Sequence, residues 1–166
     1  MHVINRLLFT GFVICVLMCA CTGNKQGNAF TTSLVEKQID STGYYISLPA
    51  GYSITTKGGP DFSVYYFATI DTTDKKSFSG GLYIGGYPNR FTPPDSSCTT
   101  SMITNNILGK AAEWTVYKCD SNYTVQTLVN NTGGDANEKI HAFGDARSET
   151  DMQKLFDIYA TLRQKK

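Results

Sequence analysis

The sequence predicts an α+β fold, an antiparallel β-sheet closed by an amphipathic C-terminal helix. Three observations carry this. Segments rich in β-branched and aromatic residues recur between Gly, Pro and Asn punctuation, as in "DFSVYYFATID" (Asp61–Asp71) and "NYTVQTLVN" (Asn122–Asn130), the composition of strands. Short polar connections such as "DS" and "NTGGDAN" join the later segments and suit hairpins. Only the last segment repeats its apolar residues at clear helical spacing.

The chain opens with one basic residue, Arg6, and then Leu7–Ala20, which holds no charge. A bilayer-spanning helix needs roughly 20 apolar residues. This shorter run has the length of a signal-peptide core, expected over residues 1–20. It ends in Met18-Cys19-Ala20-Cys21. That stretch resembles the lipobox of bacterial lipoproteins, in which a small residue precedes the cysteine whose thiol takes up the lipid. Cys21, after Ala20, is the expected lipidation site. Cys19 fits less well because Met18 precedes it, and Cys15 lies too deep in the apolar run. The resemblance implies a cell-envelope protein, lipid-anchored to a bacterial membrane, and the tether "TGNKQGN", which carries Lys but no acidic cluster after Cys21, favours a periplasm-facing anchor. Residues 21–36 read as the lipidated N-terminus and a polar tether, and 37–166 as one α+β domain.

Loss of the leader leaves roughly 145 residues, enough for one core. Arg6 is the one charge removed, so Lys and Arg then balance the 14 acidic residues. No basic stripe points to a nucleic-acid partner. Charged residues are sparse at 17% while Tyr numbers ten, which favours sheet over helix.

Along the domain, "GYYISLPAGYSITT" (Gly43–Thr56) predicts two short strands broken at Leu48-Pro49-Ala50-Gly51. Asp61–Asp71 is the clearest strand. "TTDKKSFSG" reads as a polar loop, and Gly81–Asn89 as a strand whose glycines suggest a bend or a close backbone approach. "RFTPPDSS" stops it, because consecutive prolines cannot continue a ladder. "SCTTSMITNNILG" (Ser97–Gly109) is ambiguous: Met102, Ile103 and Ile107 loosely fit a short helix ended by Gly109. Ala111–Cys119, Asn122–Asn130 and Glu138–Ala146 read as strands. In the last segment Ser148 is a candidate cap with Asp151 three later. Met152, Leu155, Phe156, Tyr159 and Leu162 form one stripe, and Arg163, Lys165 and Lys166 complement the far end.

Cys98 and Cys119 are the remaining cysteines. An oxidising compartment permits them to pair, and closing a loop of about 20 residues stabilises by roughly 3 kcal/mol in the chain-entropy account.

The order "GYYISLPAGYSI", the Trp-bearing "AAEWTVYKC", and a hairpin leading into "GDARSETDMQKLFDIYATLR" resembles the Mog1/PsbP-like superfamily. The pieces span most of Gly43–Arg163, and Tyr52 stands where relatives often show Trp. The resemblance implies a curved antiparallel β-sheet flanked by helices, used for binding macromolecules. The family shares a scaffold and not a site, so it assigns no functional residue.

No residue pattern marks catalysis, a metal or a cofactor. His141 is the one histidine after the leader, without Cys, Asp or Glu at ligand spacing. "SGGLYIGG" (Ser79–Gly86) lacks the lysine of a phosphate loop, and no Gly-x-Ser-x-Gly elbow occurs. Glu113 and Asp120, and Asp145, Glu149 and Asp151, read as solvated faces and caps. Asn122-Tyr123-Thr124 and Asn130-Asn131-Thr132 fit the N-glycosylation pattern. Asp40-Ser41-Thr42 and Asp71-Thr72-Thr73 resemble a short bacterial O-glycosylation pattern. Tyr44-Tyr45 and Tyr65-Tyr66 each place one ring on either strand face, so these four are candidates for a binding surface.

The expected function is therefore a non-enzymatic, protein-binding or accessory lipoprotein with an envelope protein partner. The alternatives are a periplasmic immunity protein against a secreted toxin, a hydrolase whose site joins His141 to a serine or carboxylate, and a lipid or small-ligand carrier with a groove beneath the last helix.

Overall fold

The antiparallel register assigns the residues of each strand to two faces, because successive side chains point to opposite sides. The computed structural model describes residues 29–71, 77–93, 95–131 and 138–165. Among them a short helix α1 (Ala29–Thr32) leads into β1 (Val35–Ile39) and β2 (Tyr44–Leu48). Then come β3 (Tyr52–Gly58), β4 (Phe62–Thr69), β5 (Phe78–Gly85), β6 (Thr99–Ile107), β7 (Lys110–Cys119), β8 (Asn122–Asn130) and β9 (Lys139–Ala146). The helix α2 (Glu149–Ala160) and a two-residue strand β10 (Arg163–Gln164) follow. The architecture is mixed α+β and mostly antiparallel sheet, with α2 toward the C-terminus. The signal peptide, the lipobox and Cys21 lie outside the described residues, whereas α1 and the start of β1 fall within the 21–36 stretch.

Seven strands form one sheet in the order β3-β4-β5-β9-β8-β7-β6, every neighbour antiparallel. A second sheet has the order β1-β2-β10. The chain leaves β5 in the interior of the large sheet and re-enters at its far edge as β6. Residues 86–98 must therefore cross four strand spacings, roughly 19 Å. This crossover is what positions the site described below.

Two sequence expectations change. Residues 99–107 are an edge strand, not a helix: they pair with β7 from Thr99↔Lys118 to Ile107↔Lys110. Gly109 serves a tight hairpin in which both Leu108 (φ 54°) and Gly109 (φ 70°) have positive φ, as such turns require. The strand expected at Gly81–Asn89 begins earlier, at Phe78, and ends at Gly85. Ser77 thus abuts a strand, and Tyr87 and Asn89 lie beyond one.

One face of the large sheet carries the core. Tyr65 and Phe67 of β4, Leu82 and Ile84 of β5, Trp114 and Val116 of β7, Val125 of β8 and Ile140 of β9 are buried there. Leu155, Phe156, Ile158 and Tyr159 of α2 are each at most 1% exposed, so these side chains of the helix pack into the core. Ser148 caps α2: its Oγ accepts from Asp151 N–H at 3.1 Å and donates to the Asp151 carboxylate at 2.8 Å. Lys166 of the basic tail lies outside the described residues, and the tail's two described members do not pair at the helix end. Arg163 and Lys165 instead pair with Glu36 of β1, fastening the small sheet across its chain ends.

Tyr159 locks helix to sheet. Its hydroxyl accepts from Gly81 N–H at 3.1 Å and faces the carbonyls of Gly81 and Phe143. Gly80 and Gly144 are paired directly opposite in β5 and β9. A Cβ at Gly80 would lie 2.6 Å from the Tyr159 hydroxyl, and one at Gly144 would lie 2.7 Å from the Ser79 carbonyl. The glycines in "SGGLYIGG" and "FGD" thus permit a close approach, as the sequence suggested for the first of them.

Candidate functional site

Among the described residues no helix covers the opposite face of the large sheet, yet that face is not polar. On β4 it presents Phe62, Val64 and Tyr66, on β5 Tyr83, and on β9 His141 and Phe143. The rings meet across the register. Phe62 stacks on Tyr83 with centroids 5.7 Å apart, and Tyr66 meets Phe143 edge to face at 5.9 Å. The chain after β5 passes over this face at Tyr87, Asn89 and Phe91 and lays Phe91 on His141 at 5.1 Å and on Phe143 at 5.2 Å. These rings and Tyr87, with Asp61 and Asn89, line a cavity of about 540 Å³, within the usual range of roughly 300–1,000 Å³ for ligand sites.

Gln126 of β8 holds the crossover in place. Its side-chain carbonyl accepts from Phe91 N–H at 2.8 Å, and its amide donates to the Phe91 carbonyl at 2.8 Å. Tyr117 of β7 donates its hydroxyl to the same carbonyl at 2.9 Å. The cross-link between the cysteines secures the far end: Cys98, just before β6, is bonded to Cys119, the last residue of β7, at an S–S distance of 2.03 Å.

The Gln126 carbonyl also sits 2.9 Å from His141 Nε2. Because that oxygen can only accept, Nε2 is the protonated nitrogen and Nδ1 holds the lone pair. Burial, reinforced by the positive charge of Arg90, pushes the His141 pKa down to about 4. The partner is an amide, not a serine or a carboxylate, and Asp61 shares the cavity without a hydrogen bond to the ring nitrogen that Gln126 occupies.

The depressed pKa has a signed consequence. The unfolded ring titrates near 6.5 and the folded ring near 4. Between these values the unfolded chain binds more protons, so stability falls as pH drops from about 6.5 to 4 and this contribution levels off below. Denaturation curves across that window should show the decline, and His141→Gln should flatten it. An identical pH slope in the variant would remove His141 as its source.

The four candidate tyrosines separate. Tyr44 is buried and its hydroxyl bonds Asn131; burial and then the charge of Glu138 raise its pKa. Tyr65 is also core, at 4% exposure. Neither offers a surface, because strand alternation turns one ring of each pair inward. Tyr45 lies on the small sheet beneath the Lys165 ammonium, 4.2 Å from the ring centroid. Tyr66 alone joins the cavity. The sequence reading missed Phe62, Tyr83, Tyr87, Phe91 and Phe143. A signal for part of the set was present: Phe62, Val64 and Tyr66 make β4 apolar on both faces, which a strand with one solvated face does not need.

Among the described residues no group of three or more His, Cys, Asp or Glu side chains gathers to hold a metal, and no helix is long and apolar enough to cross a membrane. Comparison with protein families, with curated proteins and with solved structures finds no match.

Proposed function

We propose that this chain is a membrane-anchored envelope lipoprotein, held by lipid at Cys21 and facing the periplasm, whose domain binds and does not catalyse. On this reading the domain is a Mog1/PsbP-like scaffold, a curved sheet flanked by helices, and its envelope partner engages the aromatic cavity. One observation carries the choice of site. Of the seven large hydrophobic residues exposed among the described residues, four (Phe62, Tyr66, Tyr87 and Phe91) line this one cavity. Scattered exposed apolar residues are ordinary, whereas their convergence marks an interaction site.

His141 supports binding over hydrolysis. A general base works best with a pKa near the working pH, and this ring is buried, uncharged at neutral pH and committed to Gln126. The test is a map of backbone-amide shifts in the full chain, recorded against small aromatic and apolar fragments. Shifts should cluster on β4, β5, β9 and residues 86–91. Fragments that move only amides elsewhere would defeat the assignment.

A further inference from the structure

Resting on the reading of the cavity as a binding site, we propose that its ligand is an uncharged saccharide, a short run of pyranose rings from an envelope glycan. A pyranose has a flat face of C–H groups and an edge of hydroxyls. The cavity matches both features. Its rings offer π faces of partial negative charge, which attract C–H groups. Its polar lining is mixed: the Asp61 carboxylate accepts, the Asn89 amide donates and accepts, and the tyrosine hydroxyls do both. Vicinal hydroxyls need such a mixture.

Other ligand classes fit less well. Lys57 Nζ already stands 5.8 Å over the Tyr66 ring, so a cationic ligand meets a like charge at that ring. Asp61 opposes an anion. An acyl chain would bury Asp61 and Asn89 without partners, which is costly. A proline-rich strand would stack on the rings but presents mainly carbonyl acceptors, and these leave the Asp61 carboxylate unpaired. The receiving surface is preformed, because β4, β5 and β9 are neighbouring sheet strands. Tyr87, 85% exposed, adds an outermost ring that a sugar can cover.

The experiment uses the full chain in an amine-oxide detergent, which has no sugar headgroup. Amide shifts are followed on titration with chitohexaose, cellohexaose, mannohexaose and xylohexaose, and separately with indole and decaproline. At least one oligosaccharide should bind saturably and move amides of β4, β5 and β9. Tyr87→Ala and Asn89→Ala should each weaken it about tenfold. Preference for chitohexaose would point to an amino-sugar glycan, and preference for the others to a hexose or pentose polymer. If no oligosaccharide binds at millimolar concentration while indole or decaproline moves the same amides, the saccharide assignment fails and the binding site stands. If no probe moves them, both fail.

Discussion

Trp114→Ala is expected to destabilise the protein by about 3–5 kcal/mol, a large part of the roughly 5–15 kcal/mol typical of a folded domain. Trp114 is fully buried on β7. It meets Phe156 edge to face at 5.3 Å and Tyr159 at 5.0 Å, so its ring joins the sheet to the two aromatic residues that seat α2. Truncation opens a cavity under the helix that neighbouring strands cannot collapse to fill. Trp114→Phe should behave differently. The indole Nε1 is buried without a hydrogen-bond partner among the described residues, and leaving such a donor unpaired costs about 1–3 kcal/mol. Phe removes that donor while keeping most of the ring, so its destabilisation should be well under half that of Ala. Chemical denaturation of both variants decides the matter; equal losses would mean that the indole nitrogen is satisfied.

Breaking the Cys98–Cys119 bond should cost about 3 kcal/mol. The bond encloses a sequence separation of 21 residues. It also closes the open end of the β6–β7 hairpin, next to the pair Thr99↔Lys118. β6 is the sheet edge and exposes most of its side chains, so burial alone holds it weakly. The double variant Cys98→Ser with Cys119→Ser should lower the denaturant midpoint and speed hydrogen exchange at Thr99–Ser101 before the core strands. A midpoint indifferent to both the variant and reductant would mean that the two thiols are free in solution.

The strands rich in β-branched and aromatic residues were legible in the sequence: Asn122–Asn130, the Trp114 segment, and the aromatic run after Asp61. So was α2, since Ser148 and Asp151 cap it as their spacing suggested. The edges were not. β6 buries only Ile107 fully, so its few apolar residues imitated a helical spacing. β1 buries only Ile39 and is otherwise polar or exposed, the composition of a protected edge. The site was less legible than the fold. Phe91 reaches His141 and Phe143 only because the β5–β6 connection crosses the sheet, and strand order is a property of the whole chain that no local pattern encodes. The tyrosine pairs showed that one ring of each would face outward, but not that only Tyr66 would find other rings beside it.

An exposed aromatic cluster kept for binding should contribute little to folding. Tyr87 makes the sharpest case, because its ring is largely in solvent. The most direct measurement compares the full chain with Tyr87→Ala in two readouts, thermal midpoint and amide-shift titration at the cavity. The account predicts a midpoint within about 2 °C of the parent and a clear weakening of ligand binding on β4, β5 and β9. A midpoint that falls as far as for a core substitution, or titration curves that superimpose on the parent's, would contradict it.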